Sequence, residues 1–183
     1  MKLNKKGFTL VELLAAMVIL AAIMVIAVPN VMGILNNSRA NAYVEDAKKL
    51  ISLAEYKFRS DNTSVKRPDK GGHCIVMTLG YLDNSELENA PNNGEYDKEK
   101  SFVIIKNAGV SGGKNEYVYY VQIVENLEKG GGTRGIPIKS YGDLYGEEAK
   151  SLVKNSISTS PNNVSGMATY CPGGRDGYYN ISS

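Results

Sequence analysis

The chain of 183 residues has no tryptophan, one histidine and two cysteines. Two cysteines are too few for a disulfide-dense scaffold or a four-cysteine zinc module, and a single histidine removes most imidazole-based metal and acid–base sites. An excess of one charge is missing as well: 21 Lys+Arg stand against 19 Asp+Glu, which leaves no electrostatic footprint for nucleic acid. The phosphate-cradling Gly-x-x-x-x-Gly-Lys-Ser/Thr loop, the Gly-x-Ser-x-Gly nucleophile turn and the His-Glu-x-x-His zinc helix do not occur. No enzyme is indicated, and neither a cofactor nor a metal is expected. With 43% hydrophobic and 22% charged residues, the chain is neither a disordered polar polymer nor a multi-span membrane protein.

What is present is concentrated at the start. Residues 8–28 form an apolar run in which only Thr9 and Glu12 are polar. As a helix the run covers about 30 Å, the hydrocarbon thickness of a bilayer. Lys2, Lys5 and Lys6 precede it, so the N-terminus is expected in the cytoplasm and the rest of the chain outside. An ordinary secretory signal has a shorter apolar stretch and a small-residue cleavage site, whereas Pro29-Asn30-Val31-Met32 follows here. A plain single-pass anchor fits the length but leaves Glu12 unexplained, because a carboxylate at mid-bilayer costs about 2.5–3.5 kcal/mol on insertion scales.

Gly7-Phe8-Thr9-Leu10-Val11-Glu12, with its short basic leader and unbroken apolar continuation, resembles the prepilin signal of type IV pilins and pseudopilins. The resemblance implies cleavage by a membrane prepilin peptidase between Gly7 and Phe8, and methylation of the new amine on Phe8. The apolar segment then stays in the mature chain. It further implies a filament of staggered identical helices in which Glu12 of one subunit meets the N-terminal amine of another. Pairing two charges in a low-dielectric bundle offsets the desolvation of each and fixes axial register. The implied partners are therefore the chain itself, as a helical homopolymer, the peptidase, the membrane assembly machinery and, before assembly, the lipid of the cytoplasmic membrane. Loss of the leader removes three of the 21 basic residues and leaves 18 against 19 acidic ones. The small positive excess is thus a targeting feature.

Past Pro29, which should kink or loosen the helix, the pattern becomes amphipathic. Tyr43, Ala47, Leu50, Ile51, Ala54 and Phe58 fall on one helical face, and Ser60-Asp61-Asn62-Thr63 is turn chemistry. A helix over residues 8–59 is predicted, with Pro29 matching the family pattern. Many members also carry a helix-breaking glycine ahead of that proline, where this chain reads Ala21-Ala22. The core-facing stripe is expected to pack on a sheet.

The remaining residues, 60–183, read as one head. The apolar run Cys74-Ile75-Val76-Met77 precedes Leu79-Gly80-Tyr81-Leu82 and an Asn/Pro/Gly turn at residues 89–94. Residues 101–106 and 116–125 are rich in β-branched and aromatic side chains, and residues 107–115, with three glycines, read as a longish loop between two antiparallel strands. Ile136-Pro137-Ile138 suggests the start of an edge strand and residues 147–155 a short helix, and the tail from Pro161 is rich in Asn, Ser and Gly with Tyr170, Tyr178 and Tyr179. The fold expected is α+β: a long N-terminal helix, half transmembrane and half amphipathic, packed on an antiparallel head sheet, the pilin fold. Its parts are a cytoplasmic leader at 1–7, the helix at 8–59 and the head at 60–183.

Cys74 and Cys171 both fall outside the cytoplasm on this topology, where one bridge is expected; the alternative is two unpaired small apolar residues. Many Gram-negative pilins close a short C-terminal loop with their cysteines, so the wide spacing here points to a Gram-positive-type major pilin. His73 reads as a surface histidine, and Asp143, Glu147 and Glu148 as a solvated face. The brief basic run at residues 66–70 is too small for strong DNA binding. The expected function is a structural pilus subunit serving adhesion, surface motility or aggregation. A pseudopilin of a type II secretion or DNA-uptake system, and a membrane-anchored binding domain that never polymerises, are the alternatives.

Overall fold

The computed structural model describes residues 9–61, 63–82, 87, 89–127, 131–162 and 164–180. The chain divides into two compact units, Met1–Ser38 and Arg39–Ser183. The helix α1 (Leu10–Ser60) begins in the first and ends in the second.

In the first unit α1 buries nothing. Its large apolar side chains from Leu10 to Leu35 are each between 44% and 77% exposed. It is the only helix among the described residues that is long and apolar enough to cross a membrane. Helical assignment is unbroken through Pro29, where the sequence predicts a kink or loosening. Pro29 has no N–H to offer the turn before it; next to it, the Asn30 side-chain amide donates to the Ile26 carbonyl at 3.1 Å, adding a bond where the ladder loses one.

In the second unit the rest of α1 lies on a sheet. Tyr43, Ala47, Leu50, Ile51, Ala54 and Phe58, the residues of the predicted stripe, are all buried, with Ala40 and Val44 extending the same face. Opposite them stand Ile75 and Met77 of β1 (His73–Thr78), Val103 and Ile105 of β3 (Phe102–Ser111), and Val121 and Ile123 of β4 (Lys114–Asn126). The sheet has seven strands, completed by β2 (Glu95–Tyr96), β5 (Thr133–Ser140), β6 (Lys154–Asn155) and β7 (Gly174–Tyr179). The main path runs β6-β5-β4-β3-β1-β7, and β2 pairs with β4 off it.

The sheet is α+β in class as expected, but mixed: β7 lies parallel to β1, whereas the remaining pairs are antiparallel. It is also covered on both faces. Cys74, Val76, Phe102, Ile104 and Ile138 point away from α1 and pack with Met167 and Cys171 of the C-terminal segment. Double coverage explains why β1 reads as a continuous apolar run instead of alternating.

Two further departures have local causes. Residues 107–115 are not a loop: β3 and β4 continue to the pair Ser111↔Lys114. Gly112 and Gly113, at φ 57° and 78°, form the two-residue turn whose positive φ at both positions suits the twist of a hairpin. Residues 147–155 are not one helix either. A 3-10 turn at Glu147–Leu152 gives way to β6, which pairs with Arg134 and Gly135 of β5. Pro137 sits in β5 at a register shift opposite residues 121–123 of β4, an irregularity of the kind at which a sheet tolerates proline.

Candidate assembly segment and head contacts

The helix start is built by two side chains. The Glu12 carboxylate accepts from the Thr9 backbone N–H and from the Thr9 hydroxyl, both at 2.8 Å, and the Thr9 hydroxyl in turn accepts from the Glu12 N–H at 3.3 Å. This is a reciprocal capping box at Thr-x-x-Glu, which satisfies N–H groups that the first helical turn leaves without partners. Glu12 also sits where the positive end of the helix dipole favours an anion. The arrangement was readable from the Thr9-to-Glu12 spacing ahead of an apolar run, yet the resemblance alone suggested only an intermolecular role for Glu12. Among the described residues no cation pairs with its carboxylate. Gly7, Phe8 and the leader lie outside the described residues.

The head has a buried carboxylate of its own, which sequence reading missed. Glu125 on β4 is 0% exposed. It accepts from the Tyr43 hydroxyl of α1, from the Asn92 backbone and side-chain amides at 3.2 and 3.1 Å, and from the Gly94 N–H at 2.8 Å. One carboxylate therefore ties the helix, the 89–94 turn and the sheet together. Burial, reinforced by Glu125, holds the Tyr43 hydroxyl protonated well above the ordinary phenol range. Nearby, Tyr96 of β2 donates to Asp46 of α1 at 2.7 Å. Burial pushes the Asp46 carboxyl up, and the Tyr96 hydrogen bond and the Lys49 charge oppose that rise. The only sequence signal for Glu125 is an acidic residue inside a strand of aromatic and β-branched neighbours, a pattern that equally fits an exposed position.

At the far edge, Cys74 of β1 and Cys171 form a disulfide with a Cα–Cα distance of 5.5 Å and a sequence separation of 97. His73 is not a free surface histidine. Its Nδ1 lies 2.8 Å from Asp176 Oδ1 of β7, with both side chains mostly buried. No group of three or more His, Cys, Asp or Glu side chains among the described residues is placed to hold a metal ion. Asp143 accepts from Ser140 as part of a second capping box, and Glu147 faces Lys150. An open hollow of about 450 Å³ between β5 and the 158–170 segment is lined by residues such as Lys139, Ser158, Thr159 and Tyr170, with no carboxylate or imidazole.

The structure thus places Glu12 at the helix cap, Pro29 within the exposed apolar helix, and the cysteines at the parallel edge of the sheet. It does not bring these residues into one site. They belong to separate tasks along the chain.

Residues 2–28 match the family model described as the prokaryotic N-terminal methylation motif, the type IV prepilin signal. No curated protein and no solved structure matches the chain.

Proposed function

We propose that this chain, which carries a type IV prepilin signal at residues 2–28, is the precursor of a type IV pilus subunit. It is cut between Gly7 and Phe8 by prepilin peptidase, methylated on Phe8 and polymerised into an extracellular filament. The observation that carries the reading is the prepilin motif itself, and the exposed helix it labels supports it. An apolar helix whose side chains from Leu10 to Leu35 have no cover within the chain needs lipid before assembly and other subunits after it. Over 26 residues the exposed stretch rises about 39 Å, longer than the ~30 Å core of a bilayer, which favours cover by neighbouring copies along part of it.

Glu12 then has two successive partners. In the single chain it caps its own helix through Thr9. In the filament it pairs with the methylated amine of a neighbouring subunit and sets the register. Pro29 marks the place where the helix yields on assembly. The Cys74–Cys171 bridge closes once the head has left the cytoplasm. The head, a mixed sheet covered on both faces, is the part displayed outside, where adhesion, surface motility or aggregation is decided. Because the cysteines do not close a short terminal loop, the subunit groups with Gram-positive-type major pilins.

Intact mass of the protein extracted from membranes tests the processing step. The expected product lacks the first seven residues and carries one methyl group on Phe8. An unprocessed chain beginning at Met1 supports the simple anchored binding domain instead. Abundance in sheared surface filaments separates a pilus subunit, which dominates them, from a pseudopilin, which does not.

A further inference from the structure

The strand β7 is held unlike any other strand of the sheet. It is the edge strand next to β1 and, among the described residues, the only one paired in parallel, an arrangement slightly weaker per residue than antiparallel pairing. None of its side chains is fully buried, and it contains Gly174 and Gly177, which add no packing. By contrast β1 and β3 supply buried residues to both apolar clusters, and β4 to the α1-side one. Polar ties join β7 and the residue after it to the rest of the head: Asp176 to His73 at 2.8 Å, Asn180 to Thr78 at 2.8 Å, and the Tyr179 hydroxyl to the Lys66 N–H at 2.6 Å. Its apolar contacts are those of two partly buried rings, Tyr179 against Tyr81 and the α1-side core and Tyr178 against the opposite cluster. Asp176 keeps its second carboxylate oxygen buried without a hydrogen-bond partner, a cost set against docking. Arg175 donates to the Pro161 carbonyl and lies over Tyr178, contacts within the C-terminal segment itself.

The covalent tie stands at the entrance to this strand. Cys171 precedes Gly174 by three residues, and its partner Cys74 is the second residue of the edge on which β7 lies. The crossing is tight: a Cβ on Gly173 would come within 2.5 Å of the His73 ring. We propose that β7 is a conditional strand, docked on β1 only while the Cys74–Cys171 bridge is closed. Closing it is a thiol–disulfide exchange. The two thiols lose two protons and two electrons to an extracytoplasmic disulfide oxidant, whose own S–S bond is reduced to two thiols. Before that step residues 174–179 are undocked, and β1 presents the backbone edge of Ile75, Val76 and Met77, an open template for another strand. After it the edge is covered. The head therefore reaches its closed form only where an oxidant is present, and the open-edged form is confined to chains that have not been oxidised.

The inference rests on the bridge, so thiols are counted first, by alkylation of the unreduced full-length chain in detergent. Hydrogen exchange read by mass spectrometry then compares the oxidised chain with Cys74→Ala/Cys171→Ala, and in a second arm with wild type reduced by a phosphine. Amides of residues 175–179 are expected to exchange at least about tenfold faster without the bridge, while those of 103–106 and 119–124 stay within about twofold. Free thiols in the native chain overturn the proposal at its premise. Unchanged protection at 175–179, or acceleration of β3 and β4 together with β7 in both arms, overturns the gating itself.

Discussion

Thr9 and Glu12 cap each other across the first turn of α1: the carboxylate accepts both donors of Thr9 at 2.8 Å, and the Thr9 hydroxyl accepts the Glu12 N–H at 3.3 Å. The Glu12 carboxylate is thus satisfied within the single chain by its own helix end. The apolar run can carry a carboxylate at its membrane edge without a dedicated counter-ion.

This relationship separates the charge of Glu12 from its capping. Glu12→Gln keeps an oxygen for Thr9 and removes the charge, whereas Glu12→Ala removes both and leaves the helix start only the Thr9 hydroxyl accepting from the residue-12 N–H. Both variants are expected to be cleaved and inserted, and both to yield few filaments in a shearing assay. Wild-type filament yield from Glu12→Gln means that only the cap matters and that the intersubunit ion pair is wrong.

Tyr43 and Glu125 make the second testable pair. Tyr43→Phe deletes one of four donors to a buried carboxylate and should destabilise the head by about 1.5–3 kcal/mol, the range for a hydrogen bond to a charged group. Glu125→Gln is expected to cost more, since it turns an acceptor oxygen into a donor facing Tyr43 and Asn92. Denaturant unfolding followed by tyrosine near-ultraviolet dichroism reads both. The double variant should lose less than the sum of the two single losses, because the residues share one network.

Asp46 gives a dependence on pH. Its folded pKa lies above the ordinary 3.8 because burial outweighs the Tyr96 hydrogen bond and the Lys49 charge. The folded chain therefore keeps this proton to higher pH than the unfolded chain does. The stabilisation from protonated Asp46 is complete below pH 3.8 and is lost as pH rises through the folded value. Asp46→Asn can still accept from Tyr96 and does not titrate. Its stability relative to wild type should accordingly improve as pH rises above 3.8 through the folded value, measured by denaturant unfolding at each pH. A difference that is flat across this range, or of the opposite sign, removes Asp46 as the cause.

The hairpin turn offers a check on the corrected region. Gly112→Val places a β-branched side chain at φ 57° and should cost about 1–2 kcal/mol, while Gly112→Asn should cost much less. Equal losses from the two variants, in the same unfolding assay, would mean that the positive φ is not what the turn requires.

Much of the fold was legible because local pattern and tertiary burial agree. The stripe from Tyr43 to Phe58 has helical period and is buried on that period, and the strands around Val103 and Val121 carry β-branched and aromatic runs. The hairpin at Gly112-Gly113 was legible in principle, since a Gly-Gly pair between strands is turn chemistry. The third glycine, Gly109, lies at a bulge and made the stretch read as loop. The parallel strand β7 was not legible: Gly174 to Tyr179 has neither alternation nor an apolar run, and it gains its place from Cys171, His73 and the β1 edge, all distant in sequence. Glu125 was hidden for the same reason, because its donors come from α1 and from the 89–94 turn. The assembly segment was the reverse case. Its signal is written in consecutive residues, and the motif matched over residues 2–28 needs no tertiary contact to be read.

The most direct measurement is the N-terminal mass of this chain in filaments sheared from the cell surface. The expected species begins at Phe8, carries a single methyl group on that amine and dominates the filament fraction. A chain that starts at Met1, or one that remains wholly in the membrane fraction with no filament, contradicts its assignment as a processed, polymerising subunit.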